Sequence, residues 1–297
     1  MLRQLSAALL GLALLADPAR AKAPDEFTEI RSAENFQPRS DRAYLLFRVP
    51  RLKGAASMEP LFMRVPSAEE NAAYAAAKDA AYAEALPKLT EEYQRAVEKH
   101  ASKGDAAGPA PLPPSIDRFP FTWDGVANLS DVDFSDTLVK SSDENTYLVE
   151  VPAGEYVFYG LTPSMGLPRI VVCFCLGTVG FTAEAGGITD LGYVIGDLAR
   201  SRSVVPELAG ESGYGPSSDV GLYVMSTGTV RPARSDSSLP SGLDRTQIKV
   251  AQYQAVGRYI TPHAMGINRL VPVPGVLDYD QGKVIDARTG KAVPDNF

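Results

Sequence analysis

The chain has 297 residues, with 36 acidic against 29 basic side chains and a net charge of −7. Nucleic-acid affinity rests on clustered Lys and Arg, so this balance disfavours a phosphate-backbone partner. The length allows one large or two small domains with a sizeable core, and the chain's two cysteines are not needed to hold it together.

The N-terminus reads as an export signal: a short basic start at Met1-Leu2-Arg3, an apolar stretch from Leu5 to Ala16, and small residues at Ala19-Arg20-Ala21 at the spacing of a cleavage site. Residues 1–21 are therefore expected to be removed. The net charge then becomes −8, because two cations and one anion leave with them. No cysteine follows the apolar stretch, so no lipid anchor is expected there. The stretch is shorter than the ~20 residues of a membrane span, and no later run is longer, so the mature protein is expected in the periplasm or medium with no transmembrane segment.

Residues 22–66 form an N-terminal segment whose stretch Arg42 to Val49 reads as a buried first strand ending at Pro50. Composition then changes. Ser67 and Glu70 stand at capping-box spacing directly after Pro66, and an Ala- and Glu-rich run follows, so a helical insertion is predicted over 67–104. Pro87 is expected to end or kink it, giving a helical arm or hairpin in which Leu86, Leu89, Tyr93 and Val97 keep helical register. Residues 105–115 are its Pro-rich return linker.

From 116 to 200 the pattern is β. Tyr147–Val151 and Glu155–Tyr159 flank Pro152-Ala-Gly154 and read as a hairpin, and Val171–Cys175, Thr178–Ala183 and Ile188–Ile195 follow. Short strands at this spacing predict a mainly β chain, an antiparallel β-sandwich with an inserted helical arm. Residues 201–297, rich in Pro, Gly and Arg, read as extended segments and loops laid over that scaffold. Their tyrosines, with Tyr193 (Tyr193, Tyr214, Tyr223, Tyr253, Tyr259), suit peptide or glycan contacts, although in a β protein such residues are more often half-buried in a sheet.

Two stretches carry a family resemblance: YLVEVPAGEYVFYG, with its Val-Pro-Ala-Gly-Xaa-Tyr, and CFCLGTVGFTAEAGGITDLGYV, with its Phe-Xaa-Ala and later Leu-Gly. They resemble exported bacterial proteins with a prealbumin-like (transthyretin-like) β-sandwich domain, a family without an assigned function. Only Arg42 to Pro50 and roughly Asn145 to Gly196 carry the match. The resemblance implies a sandwich fold and an envelope location, and it implies no catalytic residue or cofactor.

Cys173 and Cys175 are the chain's only cysteines. On a strand, residues i and i+2 share a face with Cα atoms about 6.6 Å apart, the upper edge of disulfide geometry. Three readings stand: a structural pair or local disulfide, which is favoured because Cys is among the most buried residue types; a redox pair; and a soft-metal grip for copper or zinc, to which only His100, His263 and carboxylates could add ligands.

Other candidates are weaker. Ser164 lacks the glycine two residues before it that a nucleophile elbow requires. His263 has no local acid to orient it, and His100 belongs to the helix C-terminus. Asp131, Asp133 and Asp136, and again Asp278 and Asp280, fall short of a calcium loop, and the second pair instead predicts a hairpin at Gln281-Gly282. The expected function is that of a non-enzymatic envelope protein binding a protein or polymer, with no cofactor. The alternative is a thiol–disulfide or soft-metal handling protein centred on Cys173 and Cys175.

Overall fold

The computed structural model describes residues 27–51, 58–102, 109–122, 129–131, 136–163, 171–198, 226–234, 237–259 and 266–295. The signal segment, Ser164, His263, Asp133, Tyr214 and Tyr223 lie outside them.

Two seven-stranded sheets pack face to face. The first contains β1 (Thr28–Glu29), β2 (Ala43–Pro50), β5 (Val139–Lys140), β6 (Glu144–Val151), β10 (Ile188–Leu198), β11 (Ser226–Arg231) and β12 (Ile248–Val250). Its order is β1-β6-β2-β10-β11, with β5 on β6 and β12 on β10. The second contains β3 (Met58–Arg64), β4 (Leu129–Asp131), β7 (Gly154–Pro163), β8 (Val172–Cys173), β9 (Thr178–Ala183), β13 (Gln254–Val256) and β14 (Gly266–Ile267). Its order is β13-β9-β7-β3-β4, with β8 on β7 and β14 on β8. A small third sheet, β15 (Leu277–Asp280), β16 (Lys283–Asp286) and β17 (Lys291–Ala292), turns at Gln281-Gly282, the positive-φ pair of a tight hairpin. Pairing is mostly antiparallel; β2–β10, β10–β12 and β8–β14 are parallel.

The sandwich follows from alternation. On β2, Leu45, Phe47 and Val49 face the core shared with Phe62, Phe158 and Phe181 of the second sheet, while Tyr44 and Leu46 face outward under Ile30, Phe36 and Leu239. Both faces of β2 are thus covered, which is why its sequence reads as a continuous apolar run.

Three expectations need correction, and one strand lies where none was expected. The stretch around Pro152 is no hairpin: β6 belongs to the first sheet and β7 to the second, so the chain crosses the core there. The Tyr156 hydroxyl donates to the Pro152 carbonyl at 2.6 Å and fixes that corner. The same turn chemistry serves a hairpin and a crossing, and only long-range pairing separates them. Of the two outcomes expected at Pro87 an end is excluded, and with it a helical hairpin, since α1 (Ala68–Ala101) runs through it for 34 residues. Proline removes one hydrogen bond, to the Ala83 carbonyl, but Ala83 is exposed and water can take the donor's place. A strand was missed at β3, where Pro60 argues against one; β3 lies between β7 and β4, and among the described residues β4 pairs only with Leu61–Met63, so Pro60 has its ladder partner on the β7 side. Lastly, the region after 201 is no covering layer, because β11 to β14 enter both main sheets.

Candidate functional site

Three features stand out, and the first is the arm. Ser67 caps α1: its hydroxyl accepts from the Glu70 N–H at 3.2 Å, and the Glu70 carboxylate accepts from the Ser67 N–H at 2.7 Å. Glu70 is also gripped by Arg64 at the end of β3, Nη2 to Oε1 at 2.6 Å and Nη1 to Oε2 at 2.9 Å. This fork joins the helix to the sandwich. Beyond it no residue of α1 is buried, although the helix is about 51 Å long at ~1.5 Å per residue.

The Pro-rich return runs back along one face of α1. Phe121 packs against Tyr74 with ring centroids 5.6 Å apart, Phe119 against Tyr82 at 5.5 Å, and Pro111–Ser115 line a shallow groove with Leu89, Tyr93 and Ala96. Helix and strap therefore form an arm with its own small aromatic seam. Leu86, Val97 and Leu112 remain exposed on it. Phe-Pro-Phe at 119–121 was the overlooked signal: two aromatics after a proline run need something to pack on, and the tyrosines eight residues apart on the helix supply it.

The Arg64 guanidinium holds the Glu70 carboxyl down at about 2, from an ordinary 4.5, mainly through their hydrogen bonds. A depressed carboxyl contributes stability that is present above the unfolded value and is lost as pH falls through the folded one. Amide protection at Ser67 and Glu70 is therefore expected to decline between pH 4.5 and 2. In Glu70→Gln it should already be weak at neutral pH and flat through that window. Equal pH profiles for the two proteins would show that the fork does not hold the arm's base.

The second feature is the cysteine pair. Cys173 and Cys175 are joined in a disulfide, with Cα atoms 5.2 Å apart and both residues buried. The separation is shorter than on an extended strand because β8 ends at Cys173 and the chain turns at Cys175. The pair lies on the outer face of the second sheet with Leu61, Tyr159 and the partly buried Tyr259, while Phe174 between them points into the main core. Tyr259 donates its N–H to the Cys175 carbonyl at 2.9 Å and its hydroxyl to the Tyr159 carbonyl at 3.3 Å. Burial raises the Tyr259 phenol far above its ordinary value, so it stays protonated. With the sulfurs bonded to each other, the pair offers no thiolate to a soft metal in this state.

The third feature was not foreseen. Arg48 of β2 and Asp190 of β10 form an ion pair, each side chain 3% exposed, with Nη1 to Oδ1 at 2.7 Å and Nη2 to Oδ2 at 3.3 Å. Arg48 also donates to the Ser238 carbonyl, and Asp190 accepts from the Gly192 N–H. The signal was a charge inside an apolar strand: Arg48 in β2, and Asp190 in β10, which also carries Asp197.

The remaining candidates are not drawn together. His100 lies in the last turn of α1, Asp136 pairs with Arg31 at 2.6 Å, and the Asp278 carboxylate accepts from the Tyr279 N–H. Among the described residues no three of His, Cys, Asp and Glu gather as a metal site, and no helix is long and apolar enough to cross a membrane. Tyr253 is buried and donates its hydroxyl to the Leu191 carbonyl, and Tyr193 lies half-buried beside Ile195 beneath the Arg231 guanidinium. Comparison with known protein families, curated proteins and solved structures finds no match to this chain.

Proposed function

We propose that this chain is a non-enzymatic binding protein of the cell envelope, exported by its N-terminal segment, in which the sandwich is a rigid base and the arm is the contact element for a protein or polymer. One observation carries the reading: a 34-residue helix with no buried residue, strapped by prolines and aromatics and tethered through the Arg64–Glu70 fork. A helix that contributed to the core would bury an apolar stripe. This one leaves Leu86, Val97 and Leu112 exposed, apolar positions that a bound partner would cover. The relation to prealbumin-like proteins belongs to the same proposal, supported by the two-sheet core and the Val-Pro-Ala-Gly-Xaa-Tyr corner.

The test compares the full chain, recovered from the envelope fraction with a mass beginning at Lys22, with a variant whose residues 67–122 are replaced by a short Gly/Ser linker. The variant should keep the β signal and cooperative unfolding of the parent, and it should lose the partner that the parent captures from envelope extract. Capture undiminished without the arm would move the contact surface to the sandwich. Loss of cooperative unfolding would show the arm to be part of the core.

A further inference from the structure

The cysteine pair sits where the C-terminal chain docks on the second sheet, and the hydrogen bonds there do not keep step. Gly266, Asn268 and Leu270 donate their N–H groups to the carbonyls of Val171, Cys173 and Gly177 at 3.1, 2.8 and 2.8 Å. Asn268 and Leu270 are two residues apart, but Cys173 and Gly177 are four. Phe174, Cys175 and Leu176 therefore hold the surplus of a bulge. Asn268 brackets it from the opposite strand, since its N–H binds the Cys173 carbonyl and its own carbonyl accepts from the Leu176 N–H at 3.0 Å. The Cys175 carbonyl, outside the ladder, takes the Tyr259 N–H. The disulfide links Cys173 to Cys175 across this bulge, where the turn brings their Cα atoms to 5.2 Å, against about 6.6 Å for an extended pair.

What the bulge positions matters beyond the second sheet. Leu270 binds Gly177 beside β9, while its neighbour Val271 donates to the Gly228 carbonyl of β11 at 3.0 Å, in the first sheet. Two consecutive residues thus tie the two sheets together, and Leu270 and Val273 are fully buried in the core between them.

We propose that the Cys173–Cys175 disulfide is a redox-sensitive clasp: oxidised, it holds the bulge that sets the register of residues 266–271 and closes this end of the sandwich, and reduction by a dithiol releases that chain. In the reduction, a thiolate of the dithiol attacks one cysteine sulfur, breaking the S–S bond and forming a mixed disulfide. The first attack releases the other cysteine as a thiolate, and the second thiolate of the reductant then attacks the reductant's own sulfur in the mixed disulfide, releasing the remaining cysteine thiolate. The reductant leaves as its own disulfide, and Cys173 and Cys175 become two thiols, having gained two electrons and two protons. Access is controlled by Tyr259, whose ring lies 6.0 Å from that of Tyr159 in the cluster that covers the buried sulfurs. The clasp does not depend on the binding role of the arm.

The test uses the full oxidised chain and dithiothreitol under native conditions, with thiol counting and amide hydrogen exchange. Reduction should yield two thiols, and exchange at Asn268 and Leu270 should quicken by about tenfold or more while Leu45 and Val149 keep their protection. Tyr259→Ala should speed the reduction by a similar factor. Cys173→Ser/Cys175→Ser should show the reduced pattern without reductant, which decides the matter should dithiothreitol fail to reach the bond. Unchanged protection at Asn268 and Leu270 in the reduced chain or in the double variant would overturn the proposal. So would an equal loss at Leu45, which would mean global unfolding, or a chain isolated with two free thiols and Leu270 still protected.

Discussion

Asp190→Ala is expected to destabilise the protein by about 3 to 5 kcal/mol, read as a shift in the denaturant midpoint at constant slope. The carboxylate is almost wholly withdrawn from water, so its loss strands the Arg48 guanidinium in the same dry site, where the Ser238 carbonyl is a neutral acceptor and supplies no countercharge. It also takes away the acceptor of the Gly192 N–H, at the irregularity where β10 shifts register against β2. Taking one partner from a buried pair is far costlier than replacing both, because an uncompensated charge remains. The double change Arg48→Met/Asp190→Leu should therefore recover most of the loss. A single-variant cost below about 1 kcal/mol would mean that water reaches the pair, as it does in exposed ion pairs.

The same pair marks the boundary of what could be read in the sequence. Local rules found β2, β9 and β10, the Ser67 cap with Glu70, and the hairpin at Gln281-Gly282, because each is encoded within a few residues: an apolar run, a capping box, a turn dipeptide. They failed wherever the answer lay in distant pairing. Nothing near Pro152 says that β6 will bond to β1 and β2 while β7 bonds to β3 and β9. Nothing near Ser226 says that it will extend the first sheet beside β10. Arg48 and Asp190 are 142 residues apart and meet only because β2 and β10 run parallel. The cysteine pair was legible as a local geometric problem, but the bulge it spans was not, since that depends on where residues 266–270 come to lie.

Phe174→Ala should be about as damaging as the loss of Asp190, costing about 3 to 5 kcal/mol, for a reason opposite in kind. Phe174 is fully buried between the sheets, edge-on to Phe158 with centroids 5.1 Å apart. The first sheet is shaped to receive it. A Cβ on Gly228 would come within 2.6 Å of the Phe174 ring, so the ring occupies the space that glycine leaves open on β11. Removing the ring opens a cavity floored by a residue with no side chain to fill it, and backbone held in two ladders cannot collapse inward. Gly228→Ala tests the same fit from the other side and should destabilise by about 1 to 3 kcal/mol through overpacking. Combined with Phe174→Leu, which shortens the side chain that Gly228→Ala meets, it should cost less than the sum of the two single changes. Strict additivity between Gly228→Ala and Phe174→Leu would show that the two residues do not share one site, and the account of how the bulged strand is seated in the core would fail with it.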